Sequence, residues 1–353
     1  MRILVTVPWG ECLGGAEEML QMAIEGASEA GHELEFVFFE AGSWPDQLRR
    51  AGLHVEVLSA GRLRQVGRAL VTVVRLAKIF RRRRPDLILN WMTKTHLYGA
   101  PAALLAGMRG RVLWWQHGIP GAHDWLDRSA ALLPALAVGC SSQASARAQA
   151  ALYPHRRTFV VNPGARVPDR EPTPVLVALP SGVPVVGLVG RLQPWKGQDR
   201  LLRAQAILRE RGHQIHTLLV GGDAYDLSSE YAATLPELAR SLGLSEAVTM
   251  TGQVPDAGPY IARMDILVNA SDPEPFGIVL LEGMARAVAV VAVDAGGPQE
   301  FIADRETGLL ACTGEPRALA ETLEPLLESA ALRHSIGEAG RARFLAEYTE
   351  AAM

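Results

Sequence analysis

Short apolar runs, each followed by a stretch with helical spacing, recur along the whole chain, and this alternation leaves few folds open. The run RILVTV is followed by Gly14-Gly15 and then by Ala16, Met19, Leu20, Ala23 and Ala27, spaced by three or four residues and stopped at Gly31. The runs ELEFVFF, HVEVL, DLILN, RVLWW and LAVGCSS continue the pattern, with helical or loop segments between them. Strands that alternate with helices predict a parallel, doubly wound α/β sheet. Six prolines then fall between residues 163 and 184, a stiff connector rather than an element. Beyond them the alternation restarts with VPVVGLVG and an amphipathic helix ending at Gly212. It continues through HTLLVGG, AVTMTG, DILVNAS, VAVVAVDA and TGLLA. The sequence does not repeat, but the architecture does. The expectation is two Rossmann-like parallel-sheet domains facing across a cleft: residues 1–165, a linker at 166–182, a second domain at 183–335 and a terminal helix at 336–353.

A length of 353 residues suits two domains. Hydrophobic residues at 48% supply ample core, and a net charge of −3 argues against bulk binding of nucleic acid. Cys12, Cys140 and Cys312 are scattered, which suits neither a disulfide framework nor a metal site and fits a reducing compartment. The segment MRILVTVPWG reads as a first strand, not a signal peptide, and no apolar run approaches the ~20 residues a membrane span needs. A cytoplasmic location is expected.

Ligands of doubly wound sheets lie at the carboxyl ends of strands, so chemistry is sought in the loops that follow them. In GLVGRLQPWKG, Arg191 and Lys196 come directly after a strand. Two cations there suit a diphosphate, although an arbitrary pair so spaced is more often a solvated helix cap. In LLVGGDAYD, Gly221-Gly222 permits a close approach by ligand or chain. The stretch EPFGIVLLE is the most informative. Gly277, Ile278 and Val279 would open a helix whose unpaired N–H groups and dipole favour an anion. Glu274 precedes that turn, and Glu282 lies roughly 7 Å along the helix. Carboxylate, anion-binding turn, carboxylate is the order of groups that a nucleotide sugar would match: sugar hydroxyls, diphosphate, ribose hydroxyls.

The stretches GRLQPWKG, EPFGIVLLEGMA and DAGGPQEFI resemble the donor-binding half of the family 4 retaining glycosyltransferases, which have the GT-B fold; the resemblance spans most of residues 184–312. In the first half, GGAEEML resembles the family's glycine-rich loop, WWQHGIP its histidine loop, and VVNPGARVP the strand closing its N-terminal domain. The resemblance implies that Arg191 and Lys196 neutralise a donor diphosphate with help from backbone N–H groups near Gly277, Ile278 and Val279. It implies that Glu274 contacts the transferred sugar, that Glu282 holds the ribose, and that the backbone from Gly252 to Val254 meets the base. Phe276 is placed at the donor, Gly14 and Gly15 near phosphate or acceptor, and His117 at the donor sugar. Two departures stand out. The family usually has glycine and proline where this chain has Ala287 and Ala289, which predicts an altered turn. The chain ends at FLAEYTEAAM, which predicts a shortened crossover helix.

The function implied is retaining transfer of a hexose-type sugar from a UDP-sugar, or secondarily a GDP-sugar, to a hydroxyl acceptor that is a small molecule, a saccharide or lipid-linked. A nucleotide-sugar epimerase or hydrolase on the same scaffold is the alternative. No Asp-x-Asp triplet is present to hold a metal, and one cation 4 Å from a phosphate charge is worth roughly 4 kcal/mol at an effective dielectric near 20. No metal or other cofactor is expected. A nicotinamide oxidoreductase is disfavoured because neither half has G-x-G-x-x-G after its first strand. Trp91, His96, Tyr98, Trp114, Trp115 and Trp125 are candidates to stack on an acceptor, or to pack. The cationic stretch 62–84 reads either as a helix that docks on anionic membrane or, the preferred reading, as one that covers the sheet.

Overall fold

The computed structural model describes residues 1–61, 63–168, 177–223 and 228–353, and the chain folds into two compact units, Met1–Val161 and Asn162–Met353. The expected linker falls partly on residues 169–176 and the cationic stretch begins at Arg62; both lie outside the described residues.

In the first unit seven strands form one parallel sheet: β1 (Arg2–Val7), β2 (Glu33–Phe38), β3 (His54–Val57), β4 (Leu87–Asn90), β5 (Val112–Gln116), β6 (Ala137–Cys140) and β7 (Thr158–Val160). Their spatial order is β3-β2-β1-β4-β5-β6-β7. The helices between them are α1 (Gly15–Glu29), α2 (Ser43–Arg50), α3 (Val66–Arg83), α4 (Thr93–Leu105), α5 (Trp125–Leu132) and α6 (Gln143–Leu152). Covered on both faces, such strands can be apolar throughout; β6 has all four residues buried. Leu4, Phe39, Leu76, Phe80 and Ile88 belong to one core cluster, so α3 does cover the sheet.

The second unit repeats the plan with β8 (Val185–Val189), β9 (His216–Val220), β10 (Val248–Met250), β11 (Ile266–Asn269), β12 (Ala289–Val293) and β13 (Leu309–Ala311), ordered β10-β9-β8-β11-β12-β13. Its helices are α7 (Gln198–Glu210), α8 (Ser229–Ser241), α9 (Gly258–Ile261), α10 (Ile278–Ala285), α11 (Pro316–Glu328) and α12 (Ala330–Glu347). The helix expected from residue 336 thus starts at Ala330, where the Ser329 side chain accepts from the Leu332 N–H as its N-cap. It packs on α10 and β12, and the chain beyond it pairs with Ala165 through hydrogen bonds of 2.9 and 3.0 Å.

Ala287 adopts φ of 55°, the left-handed conformation that glycine takes without strain, and β12 begins at Ala289.

Candidate active site

In both sheets the winding reverses direction beside the first strand, and that crevice is where the loops of adjacent strands part to admit a ligand. In the second unit it lies between β8 and β11. The loop after β8 carries Arg191 and Lys196; the loop after β11 carries Glu274. The fold therefore brings together residues 78 positions apart: Lys196 Nζ donates to Glu274 Oε2 at 2.8 Å. Asn269, the last residue of β11, donates its Nδ2 to the same oxygen at 3.0 Å and accepts from the Ser271 N–H, which fixes its orientation. The side chain of Glu274 is 8% exposed and that of Lys196 17%. Burial alone would push the Glu274 carboxyl up, but the charge and hydrogen bond of Lys196, with Asn269 assisting, outweigh it. The carboxyl is held below its ordinary value and stays ionised.

Lys196 is steadied from a second side, its ammonium lying 4.1 Å from the centre of the Trp195 ring. The Arg191 guanidinium, by contrast, makes no hydrogen bond or ion pair among the described residues; only its carbonyl is engaged, by Gln198. It is a cation available to an anion. Gly277 is the N-cap of α10 at φ of 98°, and no side chain caps the first turn, so the N–H groups at Ile278 and Val279 are presented without a competing acceptor from the cap. Glu282 is half-buried on the same helix.

The motif DAGGPQEF has a role not visible in its composition. Gly297 N–H donates to the Glu274 carbonyl at 2.8 Å, and Glu274 N–H donates to Ala295 O at 3.3 Å. A Cβ on Gly296 would lie 2.1 Å from the Glu274 carbonyl oxygen, and one on Gly297 2.3 Å from Phe276 Cα. Both glycines exist so that the loop after β12 can lie against the loop carrying Glu274. Gly221 and Gly222 are alike: Gly221 pairs with Gly252, and a Cβ on Gly221 would meet Gly190 O at 2.2 Å. There the close partner is chain, not ligand. Gly252 itself is exposed at φ of 69°, with Val254 half-buried beside it.

Phe276 requires correction. Expected at the donor, it is 3% exposed and packs on Phe301 at 5.1 Å between centroids, which in turn contacts Tyr348. Its apolar ring turns into the core and anchors the loop from beneath.

In the first unit the crevice lies between β1 and β4. Gly14 caps α1, and its neighbouring first turn carries Glu17 and Glu18, with a Glu17 carboxylate oxygen 3.0 Å from where a Gly14 Cβ would stand. That sign of charge suits a hydroxylated ligand better than a phosphate. Trp91, just past β4, donates its indole N–H to Ala16 O at 3.1 Å and stacks on Trp115 at 5.3 Å. It also meets the His117 ring edge-on at 4.6 Å. Trp91 thus connects the Gly14-Gly15 turn to His117. Burial pushes the His117 imidazole down to about 3, so it is neutral, and its Nε2 lacks a hydrogen-bond partner among the described residues. Gln116 and Asp127 pin its loop through the N–H groups of Gly118 and Gly121. Of the other aromatic candidates, Tyr98, Trp114 and Trp115 are buried, and His96 is stacked flat on Trp114; only Trp125, 66% exposed, is open.

Residues 13–167 match the family model described as Glycosyltransferase Family 4, and residues 169–343 match that described as Glycosyl transferases group 1. The chain belongs to this family, and its two parallel-sheet Rossmann-like units have GT-B architecture. Among curated relatives, a D-inositol 3-phosphate glycosyltransferase of Nocardia farcinica is 37% identical over 180 residues, 48% of this chain and 40% of that protein. The lipopolysaccharide core biosynthesis glycosyltransferase LpsE of Rhizobium meliloti is 31% identical over 49% of this chain and 48% of its own length. The matched part is therefore less than half of either relative. The crystal structure of HepE from Anabaena in complex with UDP-glucose superposes with a TM-score of 0.84 at 26% identity, covering 99% of this chain and 96% of that one. Among the described residues, no group of three or more His, Cys, Asp and Glu side chains comes together to hold a metal.

Proposed function

We propose that the protein is a retaining, metal-independent glycosyltransferase that takes a hexose-type sugar from a UDP-sugar, with GDP-sugars second, and passes it to a hydroxyl acceptor. The observation that carries the reading is the ionised Glu274 and its partner Lys196 beside the uncapped start of α10. Departure of a nucleoside diphosphate leaves negative charge on phosphate and positive charge at the anomeric carbon. Cations and helix N–H groups stabilise the first; a carboxylate stabilises the second. Arg191 and Lys196 take the diphosphate, Glu274 accepts from sugar hydroxyls and supports the oxocarbenium-like state, and Glu282 holds the ribose. The backbone at Gly252 and Val254 faces the base. His117 meets the donor sugar, and the Gly14-Gly15 turn, with its carboxylates, suits the acceptor hydroxyl. The UDP-glucose complex of HepE supports the choice of donor.

The acceptor attacks on the face from which the diphosphate leaves, so the anomeric configuration is kept without a covalent enzyme intermediate. The test is a thermal-shift screen of nucleotide sugars followed by mass spectrometry of products with hydroxyl acceptors, in excess chelator. Transfer with retained configuration is expected. Donor hydrolysis or epimerisation with every acceptor, or abolition by chelator, refutes it. Glu274→Gln should lower turnover at least ~100-fold while donor affinity changes little.

A further inference from the structure

The inner side of α3 is accounted for by the sheet it covers, with Thr72, Leu76, Ala77, Ile79 and Phe80 buried. Its outer side is not. Leu70 is 62% exposed, Val71 50% and Val74 47%, and these three adjoin one another at spacings of one, three and four residues, so they form one strip. Arg75 follows Val74, Lys78 stands one turn below it, and Arg68 lies beside Leu70 and Val71, all exposed. Neither α3 nor α4, against which it packs, contains an Asp or Glu. The nearby carboxylates Glu35 and Glu56 are taken up by Arg82 and Arg83, whereas Arg68, Arg75 and Lys78 have no acidic partner among the described residues.

An exposed apolar strip is costly in water, and a helix needing only to cover a sheet would have polar residues there. Cations flanking such a strip, with no balancing acid, complement a surface that is anionic outside and apolar just beneath. We infer that the outer face of α3 docks on an anionic lipid bilayer, with Leu70, Val71 and Val74 entering the interface and Arg68, Arg75 and Lys78 meeting headgroup phosphates. No helix among the described residues is long and apolar enough to cross a membrane, so the contact is peripheral. The inference does not depend on the sugar chemistry of the second unit.

Co-sedimentation of the full chain with vesicles tests it. Binding is expected to equimolar phosphatidylglycerol and phosphatidylcholine, weakening as salt rises, with none to phosphatidylcholine alone. Each basic residue near such a surface contributes about fivefold to partitioning, so Arg75→Gln with Lys78→Gln should lower it ~25-fold. Val71→Ser with Val74→Ser should lower it several-fold at unchanged melting temperature, because both side chains are exposed. An environment-sensitive dye on Leu70→Cys, in a chain whose exposed thiols are removed by Cys12→Ser and Cys312→Ser, should shift to the blue only with anionic vesicles. Absence of vesicle binding, binding undiminished in both double variants, or a dye that does not respond overturns the inference. So does a wild-type dimer that Val71→Ser with Val74→Ser makes monomeric while vesicles have no effect, since the strip would then be a self-contact.

Discussion

Replacing Lys196 with Met keeps most of the side-chain volume and removes the ammonium that donates to Glu274 and lies over the Trp195 ring. Glu274 is then a carboxylate, 8% exposed, with Asn269 as its remaining side-chain donor. At 2.8 Å the pair attracts with about 6 kcal/mol at an effective dielectric near 20, offset in the native protein by the desolvation of both groups. Breaking such a pair from one side costs about 3–5 kcal/mol, and because Asn269 stays in place the lower end applies. For a unit of this size about 3 kcal/mol lowers the melting temperature by roughly 6–12 °C. The sign with pH follows from the carboxyl. In the native protein its value is depressed, so the pair contributes stability above the unfolded value near 4.3, lost as pH falls through the folded value. In Lys196→Met the carboxyl is raised instead, so the variant's deficit grows as pH rises from the unfolded value and shrinks when Glu274 is protonated. Melting curves read by circular dichroism at about pH 5 and about pH 8 should therefore show the larger deficit at the higher pH. Adding Glu274→Gln should recover ~2 kcal/mol, because the stranded charge is gone. A deficit under about 1 kcal/mol, or one equal at both pH values, would refute the reasoning.

Arg191→Ala should leave the melting temperature unchanged, since the guanidinium has no partner among the described residues, yet weaken UDP-sugar binding about tenfold or more by calorimetry; equal affinity would remove it from the diphosphate site. Ala287→Gly should stabilise the protein by about 1 kcal/mol by relieving a left-handed alanine, and a lower melting temperature would show that the methyl is needed. Gly296→Ala forces a Cβ to within 2.1 Å of the Glu274 carbonyl, so it should displace that loop and lose activity with stability; retention of both would mean the loops part easily. Burial holds His117 at about 3, below its unfolded value near 6.5, so its neutral form stabilises the fold above that value and the benefit is lost as pH falls towards 3. Its ring resonances should not titrate between about pH 8 and pH 5 in NMR spectra, and a midpoint near 6.5 would contradict the burial.

Much of the fold was legible because alternation is a local signal. Each apolar run that reads as a strand forms one, and the family resemblance carried by GRLQPWKG and EPFGIVLLEGMA holds across both units. Less of the site was legible. Phe276 sits inside EPFGIVLLE, a stretch whose other residues read as ligand-binding in the sequence, and nothing in its spacing says that its ring turns towards Phe301. Asn269 reads as an ordinary strand end until the Glu274 loop folds back over it. The aromatic residues of the first unit are as suited to packing as to stacking on a sugar, and burial assigns most of them to the core.

Sequence alone determined the class of architecture, through two periodicities, and the local devices that need only neighbours: a glycine at the left-handed cap of α10, and cations directly after a strand. Which loops meet was decided by tertiary structure. β9 and β10 intervene in sequence between β8 and β11, yet the sheet sets β8 and β11 side by side, and so Lys196 reaches Glu274. Strand order is a property of how helices pack on both faces of a sheet, and it leaves no period in the chain. The charge on Glu274 follows from that order: burial in the crevice opposes ionisation, and a partner 78 residues away restores it.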